Sequence, residues 1–156
     1  MKPFQTNRVV VTQVSENIQT VSADNPEKLR DFWREVIATQ PDYEPDKESL
    51  CVLMMNTKFD IFAWNRVSLG TIEGTIAHPR EVMRPVIVAA AYAFALMHNH
   101  PSGDPMPSRQ DEQITRRVVE VSYLMNISFT DHVIVGSGDR YYSFQEAGLI
   151  QVQRVW

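Results

Sequence analysis

The sequence predicts one α/β domain, a sheet with helices packed on it. Apolar runs of strand length occur at residues 50–55, 94–97 and 128–135, and turn-type residues bound them. Stretches with apolar residues at helical spacing begin near Pro26, Pro79 and Ser108, so helices precede or separate the strands. The chain has 156 residues, of which 44% are hydrophobic and 22% charged, and this suits a single soluble domain with a sizeable core. Within it, residues 1–47 read as an N-terminal extension carrying one helix, packed on a domain spanning 48–156.

Taken in order, residues 8–14 are rich in β-branched side chains and predict a strand pairing with 18–21. Asp24-Asn25-Pro26-Glu27 supplies a cap, a proline for the first turn and an acid for the helix dipole. Leu29, Phe32, Trp33 and Val36 then give one apolar face, which reads as packing. Residues 40–47 hold two prolines and several acids and read as a solvated connector. Residues 50–55 and 60–69 form a hairpin about a turn at Asn56-Thr57-Lys58-Phe59. Gly70 and Gly74 mark a further bend. His78-Pro79 opens a helix running toward Tyr92, and His78 is most simply its entry residue rather than a catalytic one.

The helix from Ser108 places Ile114, Val118, Val121 and Leu124 on one face, and Arg109, Arg116 and Arg117 on others. Those arginines read as a solvated face, with docking of a partner as the alternative. Residues 128–135 form a strand, Gly136-Ser137-Gly138-Asp139 a hairpin turn, and 140–144 the return strand. Residues 145–148 form one helical turn ending at Gly148.

Composition excludes several functional classes. A net charge of −4 argues against a broad electrostatic grip on nucleic acid, though a local basic patch is compatible with it. Cys51 is the only cysteine, so neither an intrachain disulfide nor a cysteine-based zinc cluster can form; its apolar surroundings predict an inert core thiol. The first residues, Met1 to Thr6, lack the apolar core of a signal peptide, and the longest apolar run, 86–97, is too short to span a bilayer. No membrane role and a cytoplasmic location are therefore expected. Oligomeric state is not readable. His-Glu-x-x-His, Pro-Cys-x-x-Cys and a Gly-rich phosphate loop are all absent from the sequence.

The chemically informative stretch is His98-Asn99-His100-Pro101-Ser102-Gly103-Asp104-Pro105-Met106-Pro107-Ser108-Arg109-Gln110-Asp111. Phe94-Ala95-Leu96-Met97 ahead of it is a buried strand, and a side-chain period of two turns His98 and His100 to the same side. Proline, serine and glycine then force a loop. Ser108 stands as the N-cap of the following helix, with Asp111 in its first turn. Two imidazoles at a strand end and a carboxylate at a facing helix start can converge on one metal ion and leave a fourth position for water, as in catalytic zinc sites. The plainer alternative is a Ser-x-x-Asp capping box beside two ordinary strand-end histidines.

The whole spacing, His-x-His-Pro followed by Ser eight residues after the second histidine and Asp three further on, resembles the JAMM signature of MPN-domain metalloproteases. The finer run His-Asn-His-Pro-Ser-Gly-Asp-Pro-x-Pro-Ser is similar to the RadC-type branch, and the resemblance extends over about residues 19–150. It implies an MPN fold: a mixed, curved sheet packed with helices, with zinc at a strand–loop–helix junction held by His98, His100 and Asp111. It implies Glu48 as the proton acceptor, since the strand after it matches and Asn56-Thr57-Lys58 stands where RadC-type sequences usually show Asp-Thr-Lys or similar, although Ser49-Leu50 departs from the His/aromatic pair often found there. It also implies that the Ser108 hydroxyl donates to a developing oxyanion.

Asp131-His132 resembles a further RadC element and reads as a structural hydrogen bond near the sheet end; Asn99 and Ser102 read as orienting the loop or the substrate. The function implied is zinc-dependent hydrolysis of peptide or isopeptide-like amides. RadC-type proteins have been labelled DNA repair proteins, which makes a DNA-associated role the alternative. A non-catalytic MPN scaffold is the third reading, and the presence of all three ligand-type residues argues against it.

Overall fold

The computed structural model describes residues 20–70 and 77–152. Two adjacent strands, β2 (Glu48–Met55) and β4 (Ala93–Asn99), are buried almost end to end because both faces of the sheet are covered. The strand period of two divides their side chains between two cores. Cys51, Leu53, Met55, Ala93, Ala95 and Met97 face one side, whereas Val52, Met54, Phe94 and Leu96 face the other. Among the described residues the remaining strands are β1 (Val21–Ser22), β3 (Asp60–Gly70), β5 (Ser128–Val135) and β6 (Tyr141–Ser143). The six form one sheet in the order β1-β3-β2-β4-β5-β6. All neighbours are antiparallel except β4 and β5. The predicted mixed sheet is therefore found.

A parallel pair needs a long crossover, and α3 (Arg109–Met125) supplies it between β4 and β5. Together with α2 (Pro79–Val88), α3 covers the Val52/Phe94 face. The opposite face is covered by α1 (Pro26–Phe32), whose Leu29 and Phe32 share a core with Cys51 and Leu53. Asn25 caps α1 by accepting from the Lys28 amide at 2.9 Å, and Pro26 occupies the first turn, as its missing N–H allows.

The expected strand at 8–14 lies outside the described residues; Val21 pairs with Ile61 of β3. Three details differ from the sequence reading. The helix begun at Pro26 does not stay α-helical: Trp33–Ile37 form a π-helical turn, closed by the Ala38 amide on the Trp33 carbonyl at 2.7 Å, which turns Trp33 and Ile37 into the core. The helix from Pro79 stops at Val88, short of Tyr92. Ala90 takes a left-handed φ of 50°, and the amides of Ala90 and Ala91 bond back to Ile87 and Val86, closing a Schellman motif without glycine.

The third difference is on α3. Its buried stripe is Asp111, Ile114, Thr115, Val118 and Ser122, and Leu124 is 86% exposed. At about 100° per residue Leu124 lies roughly 140° from the centre of that stripe. The stripe is partly polar because it faces the site, and an apolar count alone rotates it.

Cys51 is fully buried, and burial pushes its thiol up to about 12, in keeping with an inert core residue. Among the described residues no helix is long and apolar enough to cross a membrane.

Candidate metal centre

His98 is the sixth residue of β4 and shares the parity of Phe94 and Leu96, so it faces α3. His100 follows two residues on, just beyond the strand. Asp111 is the third residue of α3, and Ser108 is its N-cap. The capping box is complete: the Ser108 hydroxyl oxygen accepts from the Asp111 amide at 3.2 Å, and the Ser108 amide donates to Asp111 Oδ2 at 2.7 Å. The Ser108 hydroxyl also donates to Oδ2, at 2.8 Å.

The capping box and the metal reading are therefore compatible, because they use different oxygens. Oδ2 is occupied by Ser108. Oδ1 is buried without a hydrogen-bond partner among the described residues and lies 3.2 Å from His98 Nε2. His100 Nε2 lies 3.4 Å from Oδ2 and 3.0 Å from His98 Nε2. His98, His100 and Asp111 each offer a ligand atom, all within 4.8 Å of one another.

Hydrogen bonds behind the cluster set the tautomer of His98. Thr115 donates its single hydroxyl proton to the Asp111 carbonyl, 2.6 Å away, because that oxygen can only accept. Thr115 Oγ1 must then accept from His132 Nδ1 at 2.7 Å. His132 is fully buried, and burial together with the neighbouring His98 lowers its pKa well below the usual value, which keeps the ring neutral. Its Nε2 therefore accepts, and His98 Nδ1 donates to it at 2.8 Å. In neutral His98 the free lone pair is on Nε2, facing Asp111. For His100, Nδ1 donates to the Asp104 carbonyl at 2.7 Å, which also leaves Nε2 as the free atom. Two imidazole lone pairs and a carboxylate oxygen thus face one small space, an arrangement that only a cation, whether a proton or a metal ion, makes favourable.

The charges respond accordingly. Burial disfavours ionised Asp111, but a proton held on His100 or His98 and the hydrogen bond from the Ser108 amide outweigh it and keep the carboxyl far below the usual range. Burial likewise pulls His100 down, but Asp111, the Asp104 carbonyl and the charge of Glu48 overcome it and raise His100 above its ordinary value. A proton on His100 Nε2 must leave before a metal can bind. Zinc affinity measured by competition titration between about pH 5 and 8 should therefore rise with pH up to the raised His100 value, by about tenfold per unit, and level off above it. In the metal-free protein the sign is opposite: stability from this proton is full below the unfolded value and disappears as pH rises through the folded one.

Glu48 opens β2. Its parity is that of Leu50, Val52 and Met54, so it lies on the His98 face. Leu50 pairs with His98, the last pair of the ladder, and Glu48 lies two residues beyond it at the end of the sheet where His100 also stands. Glu48 Oε2 is buried without a hydrogen-bond partner among the described residues, and its charge is felt at His100. Leu50, Ser68, Gln110, Gln113, Ile114 and Arg117 line a cleft beside His98 and Asp111. A larger apolar groove between α2 and α3, floored by Met83, Ile87 and Val121, touches this cleft only through Arg117 and lies away from the imidazoles.

His132 is the residue whose part the sequence does not disclose, since Asp131-His132 reads as a structural pair. Asp131 does act locally, accepting from the Ser143 hydroxyl at 2.6 Å, the His132 amide at 2.7 Å and the Gln145 amide at 3.0 Å, with its pKa raised by burial to about 6. His132 instead points the other way, to His98. The available signal was a histidine inside an otherwise apolar strand, which must find a polar partner when buried. His78 is a helix entry, its Nδ1 accepting from the Arg80 amide at 3.1 Å. Arg109, Arg116 and Arg117 are exposed.

Comparison with known proteins agrees with this geometry. A family profile described as the RadC-like JAB domain matches residues 23–149. Similar relatives include a UPF0758 protein of Rubrobacter xylanophilus, 43% identical over 105 residues, covering 67% of this chain and 45% of the relative. A UPF0758 protein of Moorella thermoacetica is 42% identical with the same coverage, and one of Symbiobacterium thermophilum is 45% identical over 103 residues, covering 66% of this chain and 44% of the relative. The match spans less than half the length of these relatives.

Proposed function

Because the chain belongs to the RadC-like JAB-domain family, we propose that it is a zinc-dependent hydrolase of peptide or isopeptide-type amides. The observation that carries this reading is the convergence of His98, His100 and Asp111, whose ligand atoms lie within 4.8 Å of one another. The donor set fits zinc: two imidazole nitrogens and one carboxylate oxygen, with tautomers fixed from behind, a three-ligand set of the kind that leaves a fourth position for water. A zinc ion held there supplies Lewis acidity, polarising a carbonyl and acidifying a water to a pKa of about 7.

The chain's own residues supply the rest. Glu48 takes the proton of the attacking water and passes it to the leaving amine; a carboxylate oxygen that is buried and unpartnered is free for both transfers. Ser108, whose hydroxyl proton points at Asp111 Oδ2, turns it toward the oxyanion as the tetrahedral centre forms. The cleft walls, with Gln110, Gln113 and Arg117, offer polar contacts for a backbone substrate.

The test is a screen of fluorogenic peptide and isopeptide substrates with zinc-loaded protein. Turnover that is lost on chelation and restored by zinc supports the reading. The competing DNA-associated role makes a different forecast. With a net charge of −4, duplex DNA affinity at physiological salt should be weak and its salt slope shallow. Sub-micromolar binding with a steep slope, in a protein that cleaves no amide, would favour the DNA reading instead.

A further inference from the structure

The β2–β4 ladder has a gap at its most important point. Its last backbone pair is Leu50 with His98, because β4 then leaves for the loop that begins His100-Pro101. On that side the backbone around Glu48 would have no partner. Asn99 fills the gap with its side chain. Asn99 Oδ1 accepts from the Ser49 amide at 2.9 Å, and Asn99 Nδ2 donates to the Lys47 carbonyl at 3.0 Å. These are the two backbone groups that flank Glu48.

A carboxamide carries one acceptor and one two-proton donor, the same functions as a peptide group, so it can continue a ladder by one step. Asn99 is 6% exposed, and both bonds lie in a buried or half-buried setting where an unpaired amide is costly. Glu48 Oε2, by contrast, has no hydrogen-bond partner of its own among the described residues. Its placement therefore depends on its backbone. The same three-residue step that sets two histidines on one face puts Asn99 between them, aimed sideways at β2.

We infer that Asn99 is a positioning residue that clamps the backbone on either side of Glu48 and so holds its carboxylate beside His100. This rests on the proposed reading of Glu48 as the base. The chemistry is specific to asparagine: aspartate lacks the donor for Lys47, serine reaches one group at most, and alanine neither.

The test uses the full chain loaded with cobalt(II) as a spectroscopic probe and follows visible absorption against pH in wild type, Glu48→Gln, Asn99→Ala and the double variant. A carboxylate nearby holds a proton at the cobalt site more tightly, so Glu48→Gln should lower the midpoint by about one pH unit. Asn99→Ala should reproduce most of that shift with Glu48 present, and add nothing in the Glu48→Gln background. If Glu48→Gln shifts the midpoint while Asn99→Ala leaves it unchanged, Asn99 is structural only and the inference is overturned with the reading of Glu48 intact. If wild type and Glu48→Gln share one midpoint, the reading of Glu48 fails and the inference falls with it. Should Asn99→Ala not fold, Asn99→Ser carries the same comparison with a smaller shift.

Discussion

Glu48→Gln is expected to bind zinc as the unaltered protein does, to melt at a similar temperature, and to hydrolyse an amide substrate about 10²–10⁴-fold more slowly. The zinc-type ligands come from β4, the residue just beyond it and α3, so nothing in the cluster of His98, His100 and Asp111 is removed by changing β2. Glutamine keeps the volume of Glu48 and its place on the inward face, but cannot accept a proton at pH 7. The loss should lie in kcat rather than in KM, since the proton moves only as the transition state forms. A Glu48→Gln enzyme with undiminished kcat would remove Glu48 from the mechanism and turn attention to other acids near the cleft.

The second large effect is expected at a residue that touches no ligand position for the metal directly. His132→Phe should weaken zinc binding by about 10–100-fold. Phenylalanine can retain the stacking of ring 132 on Phe144, now at a centroid distance of 4.9 Å, while removing both nitrogens. His98 Nδ1–H then loses its acceptor in a fully buried position, and Nδ1 and Nε2 compete for the proton. The unpaired donor should also cost about 1–3 kcal/mol of stability. Thr115→Val tests the same chain one step further back: without the hydroxyl, His132 is no longer held with its proton on Nδ1, and zinc affinity should fall less than in His132→Phe. Direct titration of zinc into both variants measures this. Unchanged affinity in His132→Phe would show that the imidazole relay is structural only.

The two effects bear on how much of the site the sequence disclosed. His98, His100, Ser108 and Asp111 are legible because they lie within fourteen consecutive residues, and strand parity with one helical turn converts spacing into convergence. Glu48 is legible only through family resemblance; no local rule connects it to a loop fifty residues downstream, and the Leu50–His98 register does so in space. His132 and Asn99 were visible as polar residues next to apolar strands, but not their partners, because these are set by β4 lying between β2 and β5. The same limit explains Leu124. Apolar spacing on α3 favoured a stripe that includes it, whereas the real stripe includes Asp111 and Thr115, polar residues buried because they serve the site. The π-helical turn at Trp33–Ile37 has no sequence signature beyond the two bulky side chains it buries.

Metal analysis of the purified protein tests the central claim most directly. The account predicts about one zinc per chain in the wild type, with loss of binding in the His98→Ala/His100→Ala double variant, since Asp111 alone cannot hold the ion. Full zinc occupancy in that double variant, or a wild type that takes up no metal when zinc is supplied above the raised His100 value, would contradict it.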